Sequence, residues 1–409
     1  MCIRDRNIMV DKKFNLTTGH RGWVLSLSTN DNHKLSLLGE KWEYHIDYLQ
    51  NGTFVNDKSL KEKDGLIILF DGVIFEKDSL VRENEDVYSV ISRLYCEYGD
   101  AFPDKINGSF SGFIIDKIKN RVVVYSDYIG SKAVFYARYK DYIVFSSDIA
   151  SVFDNIEVQG LGKTLDVNSA YSLLGNGYMF GNSTLVDDVK RMLPGYVIVI
   201  DDCFKEIPYY IIDNTPDYTL SELDAVELVD SLFKRAVKAQ YDSDLREGVD
   251  THLVALSGGL DSRMTSLVAH ELGYISQLNY TVSKSGYLDQ SIAQEIACDY
   301  NHDWIFKSLD TGNWLLDFEN IIEYTGGYEL YYGTAHVQSL IGMIDDSSRF
   351  GIVHSGMLGD VIIGTYYKGI NPNRKFNLWC GAFYPNKLLS KVHFPKLDYA
   401  NEEIGIFYN

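Results

Sequence analysis

"LVALSGGLDSRMTSLVAHELG" occupies residues 253–273. Leu253 to Leu256 form a short apolar run of the kind that makes a buried strand. From Ser262 onward, Met264, Leu267, Val268 and Leu272 recur at helical spacing. Ser257, Gly258 and Gly259 therefore sit at a strand-to-helix turn. The first N–H groups of a helix have no partners within it, and the positive end of the helix dipole lies there, so such a turn is a natural anion site. Glycine lets the backbone approach the anion closely. A plain helix cap would need neither adjacent glycines nor the Asp-Ser that follows them. The stretch predicts a phosphate or pyrophosphate cradle made by Leu256, Ser257, Gly258, Gly259, Asp261 and Ser262, with Asp261 as an oxygen ligand for Mg²⁺. Arg263 is either a surface residue of the first helical turn or a reach toward a phosphate.

The rest of the chain narrows the partners. It has 409 residues, room for two or three domains. Acidic residues number 57 against 38 basic ones, a formal net charge of -19, which disfavours a broad nucleic-acid surface. No apolar run approaches the roughly 18 residues of a membrane helix. The five cysteines (2, 96, 203, 298 and 380) are odd in number and contain no Cys-x-x-Cys, which argues against a disulfide framework or a structural zinc. With no signal peptide visible, a cytoplasmic location is expected. The opening "MCIRDR" (1–6) resembles translated sequencing adapter, and Met9 is then the expected start. His302 and His354 read as structural, since no histidine pair has metal-ligand spacing.

Residues up to about 150 are rich in short β-like runs: "WVLSLS" (23–28), "GLIILF" (65–70), "GSFSGFIID" (108–116), "RVVVYSD" (121–127) and "YIVFSSD" (142–148), interrupted by a helical segment over 86–97. This pattern predicts an antiparallel α+β domain. "TLVDDVKRMLPGYVIVIDD" (184–202) reads as a strand, a Pro-Gly turn and a second strand. Residues 220–241 form an amphipathic helix with Ser221 as N-cap and Leu228, Leu232 and Val237 in its apolar stripe. Strand–helix units follow: 253–273, then "QLNYTV" (277–282) with a helix from Asp289, then "GIVHSG" (351–356). That alternation predicts a parallel, doubly wound sheet.

At "SGGLDS" (257–262) the sequence resembles the pyrophosphate loop of the asparagine-synthetase type of ATP pyrophosphatase. "DQSIAQEIACDYNHDW" (289–304) looks like the helix that follows the next strand in that family. "SGMLGDVIIGTY" (355–366) is similar to its Ser-Gly-x-x-x-Asp-Glu-x-x-Gly-Gly-Tyr segment; Ser355, Gly356, Asp360, Gly364 and Tyr366 match, while Met357 and Val361 replace usual acidic residues. "LYCEYGDAFPDKINGSFSGFIID" (94–116), "SDYIGSKAVFY" (126–136) and "FSSDIASVF" (145–153) follow the order of the family's class II glutamine amidotransferase domain.

The resemblance implies an α+β, Ntn-hydrolase-like domain over 1–155, a connector over 156–219, and an α/β doubly wound parallel-sheet ATP pyrophosphatase domain over 220–409. It implies ATP and Mg²⁺ as ligands, Ser355 and Gly356 beside the nucleotide, Asp360 as a second Mg²⁺ ligand and Tyr366 lining the substrate cleft; Tyr331, Tyr332 and Tyr367 read as packing. The implied reaction activates a carboxylate, aspartate in the parent activity, as an acyl-adenylate with release of pyrophosphate, and ammonia or an amine then forms the amide. Alternatives are an amide ligase for a sugar acid or natural-product precursor, and a non-catalytic ATP-binding protein. The family's glutaminase begins Met-Cys-Gly, whereas Ile3 follows Cys2 here. Its Asn-Gly-x-x-x-Asn is "DGVIFE" (71–76), so Asp71 puts a carboxylate where an oxyanion develops. No glutamine hydrolysis is expected. Nothing after about residue 370 matches the family's C-terminal helical portion, so the tail is expected to be truncated or diverged.

Overall fold

The computed structural model describes residues 22–29, 42–50 and most of 53–359, leaving out 140, 162–163, 214, 216, 317, 329–330, 342, 345–348 and 358. The chain forms two compact units, Met1–Lys163 with Asp188–Ser221, and Thr164–Asp187 with Glu222–Asn409. The 156–219 span anticipated as a connector is thus shared between the two.

The first unit contains β1 (Gly22–Thr29), β2 (Trp42–Leu49), β3 (Ser59–Lys63), β4 (Leu66–Ile74), α1 (Lys77–Leu80), α2 (Val87–Tyr98), β5 (Gly108–Asp116), β6 (Arg121–Ser126), β7 (Phe135–Arg138), β8 (Tyr142–Ser146) and α3 (Ile149–Val158). After α4 (Val167–Asn176), which belongs to the second unit, the chain returns for β9 (Val189–Arg191), β10 (Tyr196–Ile200) and β11 (Phe204–Pro208). Two antiparallel sheets result, ordered β2-β1-β8-β7-β9 and β11-β10-β6-β5-β4-β3.

β4 explains why they stack. All nine of its residues are buried, and alternate side chains point to opposite faces. Ile68, Phe70 and Ile74 pack with Val87, Val90, Ile91 and Leu94 of α2. Ile67 and Leu69 pack with Trp23, Leu25, Ile143 and Phe145 of the other sheet. On that sheet's outer face Tyr142 donates its hydroxyl to Asn155 Oδ1 of α3 at 3.1 Å. The layers therefore run helix, sheet, sheet, helix. The segment "SDYIGSK" has its own physical reason. The fully buried Asp127 carboxylate accepts from the N–H groups of Phe110, Ile129, Ser131 and Lys132 and from the Ser131 hydroxyl, which fixes the turn into β7.

The second unit continues with α5 (Glu222–Arg246), β12 (His252–Ala255), α6 (Leu260–Glu271), β13 (Gln277–Ser283), α7 (Leu288–Asp299), β14 (Asp303–Ser308), α8 (Phe318–Thr325), α9 (Tyr331–Ile341) and β15 (Val353–His354). Its sheet is parallel, ordered β14-β13-β12-β15. Both faces are covered. Val254 packs with Val237 and Tyr241 of α5 and Val268 and Ala269 of α6, while Leu253 packs with Leu278, Leu340 and Phe350. Of the stripe expected on α5, Val237 is buried, but Leu228 and Leu232 are 45% and 53% exposed. The helix runs on to Arg246, and its buried residues all fall in its second half. The chain steps outward from β12 to β13 and β14, then crosses back to β15 on the other side of β12. Strand order thus reverses at β12, and a crevice at the carboxyl ends of β12 and β15 is where such sheets bind ligands.

Candidate functional site

The 257–262 loop emerges at that crevice. Leu256 is buried; its N–H donates to Tyr280 O at 2.9 Å, and its carbonyl accepts from Thr281 Oγ1 at 2.7 Å. Thr281 Oγ1 in turn accepts from Trp304 Nε1 at 2.9 Å. The strand end is thereby tied across to β13 and β14, so the loop starts from a fixed point.

Beyond it the two serines lock the turn. Ser257 N–H donates to Ser262 Oγ at 3.0 Å, the two hydroxyl oxygens are 2.9 Å apart, and Gly259 N–H donates to Ser257 Oγ at 3.2 Å. Gly258 N–H donates to Asp289 Oδ1 at 2.9 Å, reaching the first turn of α7. With the amides of both glycines engaged, the N–H groups of Leu260, Asp261 and Ser262 in the first turn of α6 are those without a hydrogen-bond partner among the described residues. Arg263 lies at the same mouth, its Nε donating to Gly259 O at 3.3 Å.

The sheet brings the distant 355–359 segment to this loop. β15 pairs with β12 in the register Leu253↔Val353 and Val254↔His354, so Ser355 and Gly356 follow directly beside Ala255 and Leu256. Gly356 packs so tightly that a Cβ there would lie 2.4 Å from both Asp261 C and Ser262 N; one on Gly359 would lie 2.4 Å from Asp261 Cγ. Ser355 Oγ accepts from Met357 N–H at 3.4 Å, and Met357 is 80% exposed. Leu256, Ser257, Gly258, Gly259, Asp261, Ser262, Ser355 and Gly356 therefore share one place in the fold. Asp360, Gly364, Tyr366 and Tyr367 lie outside the described residues, as do the side chains of Tyr331 and Tyr332.

Asp261 suits a hard cation. Among the described residues no hydrogen bond or ion pair engages its carboxylate, which faces the side-chain-free Gly359 at the positive end of α6. Asp289, which holds the Gly258 amide, is a residue that sequence reasoning did not single out. Its only signal was its place in the first turn of the helix after the next strand, where a carboxylate can reach a neighbouring loop's amide.

The first unit holds a second polar cluster. Asp71 stands on β4 opposite Ser111 of β5 and is 8% exposed. Lys58 Nζ lies 3.7 Å from Asp71 Oδ1, an ion pair without a hydrogen bond, and Oδ1 has no hydrogen-bond partner among the described residues. Ser111 Oγ accepts from Trp23 Nε1 at 3.1 Å. Tyr48, paired with Trp23 across β1 and β2, has a buried hydroxyl without a hydrogen-bond partner among the described residues. Burial and then the charge of Asp71 push the pKa of that hydroxyl up. Cys2 lies outside the described residues.

Comparison with known proteins finds similarity that extends over both units. Residues 56–210 match the model of the glutamine amidotransferase domain family. A Methanocaldococcus jannaschii protein with the provisional name asparagine synthetase (glutamine-hydrolyzing) 2 is 25% identical over 386 residues, 89% of this chain and 69% of that protein. Asparagine synthetase (glutamine-hydrolyzing) 3 of Bacillus subtilis is 23% identical over 291 residues, 69% of this chain and 44% of that protein. Among solved structures, the glutamine phosphoribosylpyrophosphate amidotransferase of B. subtilis is 11% identical, covering 70% of this chain and 59% of that chain, with a TM-score of 0.28, a likeness too slight to define a fold.

Proposed function

We propose that this asparagine-synthetase-like chain is an ATP-dependent, amide-forming ligase whose second unit carries the chemistry. A substrate carboxylate oxygen attacks the α-phosphorus of ATP. The bond between the α- and β-phosphates breaks, pyrophosphate leaves, and an acyl-adenylate forms. The nitrogen of ammonia or an amine then bonds to the acyl carbon and loses a proton, and AMP departs. The amides of Leu260, Asp261 and Ser262 would orient the phosphates, and the hydroxyls of Ser257 and Ser262 would exchange their mutual bond for phosphate oxygens. Asp261 would hold Mg²⁺, which when bound neutralises charge on the departing pyrophosphate. Asp360 is proposed as its second ligand.

One observation carries this proposal. Two segments nearly a hundred residues apart, both singled out from the sequence, meet at the strand-order switch with Gly356 packed against the Asp261–Ser262 peptide. The nitrogen source is proposed to be ammonia or a substrate amine, because the family resemblance implies an oxyanion donor where this chain has Asp71. Met357, exposed beside Ser355 in place of an acidic residue, favours an acceptor other than aspartate as the second reading.

Exchange of labelled pyrophosphate into ATP, screened over aspartate, sugar acids and other carboxylates, tests the first half-reaction. Amide formation with ammonia, compared with glutamine, tests the second. Carboxylate-dependent exchange and ammonia-dependent product are expected. Exchange with no carboxylate at all would defeat the ligase proposal, and glutamate release from glutamine would defeat the proposal on nitrogen.

A further inference from the structure

Three buried groups from three elements of the second unit converge on one point. Asp244, His252 and His354 are 0%, 1% and 1% exposed and come from α5, β12 and β15. His252 Nδ1 and His354 Nε2 each lie 2.9 Å from Asp244 Oδ2, and Ile352 N–H donates to Asp244 Oδ1 at 2.9 Å. Tyr241, one turn earlier on α5, stacks on His354 with ring centroids 3.7 Å apart.

Such a set offers three ligand atoms to a cation. Its geometry argues for hydrogen bonds instead. Both imidazole nitrogens stand at hydrogen-bonding distance from a single carboxylate oxygen, which two N–H donors satisfy fully. A metal-bound imidazole donates its other ring N–H to a partner. His354 Nδ1 is buried with no hydrogen-bond partner among the described residues. A neutral ring with its proton on Nε2 leaves only a lone pair there, the cheaper of the two defects. Burial lowers the pKa of His354, against the pull of Asp244, which keeps the ring neutral.

The cluster sits where the site needs support. β15 has only two residues, and its ladder to β12 is correspondingly short. Ser355 and Gly356 follow His354 directly. We propose that Asp244 is a positioning residue for the ATP site: by accepting from Ile352, His354 and His252 it fastens β15 to β12 and so holds Gly356 against the Asp261–Ser262 peptide. This role rests on the function proposed above.

The test compares the full chain as wild type, Asp244→Asn, His354→Leu and His354→Gln, by amide hydrogen exchange and by calorimetric titration with ATP and Mg²⁺. The Gln variant keeps an N–H donor toward Asp244; Leu does not. Asp244→Asn and His354→Leu should speed exchange across residues 351–357, leave β13 and β14 as in wild type, and weaken ATP binding about tenfold, the usual effect of losing a hydrogen bond to a charged group. His354→Gln should recover most of both. If Asp244→Asn unfolds the unit, the His354 pair carries the test. Wild-type affinity in Asp244→Asn, or a Gln variant no better than Leu, overturns the positioning role alone. Stoichiometric zinc in the purified protein, or stabilisation by Zn²⁺ alone, overturns it in favour of a metal centre. A wild type that binds no ATP overturns the proposed function itself.

Discussion

Gly356 concentrates the residue-scale logic of the site. Its Cα lies against backbone of the first turn of α6, so even a methyl group would force the 355–359 segment away from Asp261. Gly356→Ala should cost about 1–3 kcal/mol of stability by overpacking and should weaken ATP binding as well, read by urea unfolding and calorimetry. Stability and affinity both equal to wild type would contradict the packing described. Ser257 to Ser262 and Ser355–Gly356 were legible in the sequence because each motif is local, with glycines, hydroxyls and a carboxylate at fixed offsets. Asp289 and Asp244 were not. Each is an ordinary helix residue by pattern, and each gains its role only when the sheet brings another element within reach.

At the scale of elements, short apolar runs placed β1, β5, β6 and β8 to within two residues, while the run at 65–70 caught only the first part of β4, which continues to Ile74. β2, β3 and β11 were missed: SLKEK and FKEIP break the alternation, whereas β2, WEYHIDYL, alternates over Trp42–Tyr48 and was overlooked. β14 was hidden behind α7, whose helical pattern runs close to it with only a short turn between. Helix α6, strand β13 and His302, the residue just before β14, are joined by a polar chain. His270 Nδ1 lies 2.8 Å from His302 Nε2, and His302 Nδ1 lies 2.8 Å from Asn279 Oδ1. With Asn279 Oδ1 accepting from Nδ1, the Nε2 of a neutral His302 accepts from His270. Burial, and then repulsion from a charged His270, lower the His302 pKa to about 4 from its ordinary 6.5. The unfolded chain therefore takes up a proton first. Stability from this residue is full above about pH 6.5 and is lost as the pH falls toward about 4. Nuclear magnetic resonance titration of His302, with urea unfolding at pH 7 and pH 5, checks this. His302→Gln should lose less stability between those two pH values than wild type does, and an equal loss would contradict the assignment.

Taken whole, the chain couples a four-layer antiparallel unit to a unit built on a parallel sheet, and the two were legible to different depths. The first could be read as antiparallel because its strands are short and closely spaced. The return of residues 188–221 to its sheets could not, since no local pattern says which sheet a distant strand will join. The second unit's parallel order followed from alternating strands and helices, and the strand-order switch at β12 gives its loop a place where ligands bind. The central claim is that this loop is an ATP·Mg²⁺ site organised by Asp261. Calorimetric titration of ATP into the full chain, with and without Mg²⁺, tests it most directly when wild type is set beside Asp261→Ala. Saturable binding that needs Mg²⁺ is expected in wild type, with affinity lowered at least about tenfold in the variant and folding unchanged by circular dichroism. Equal affinity in the two proteins, or no binding in wild type, would contradict the account.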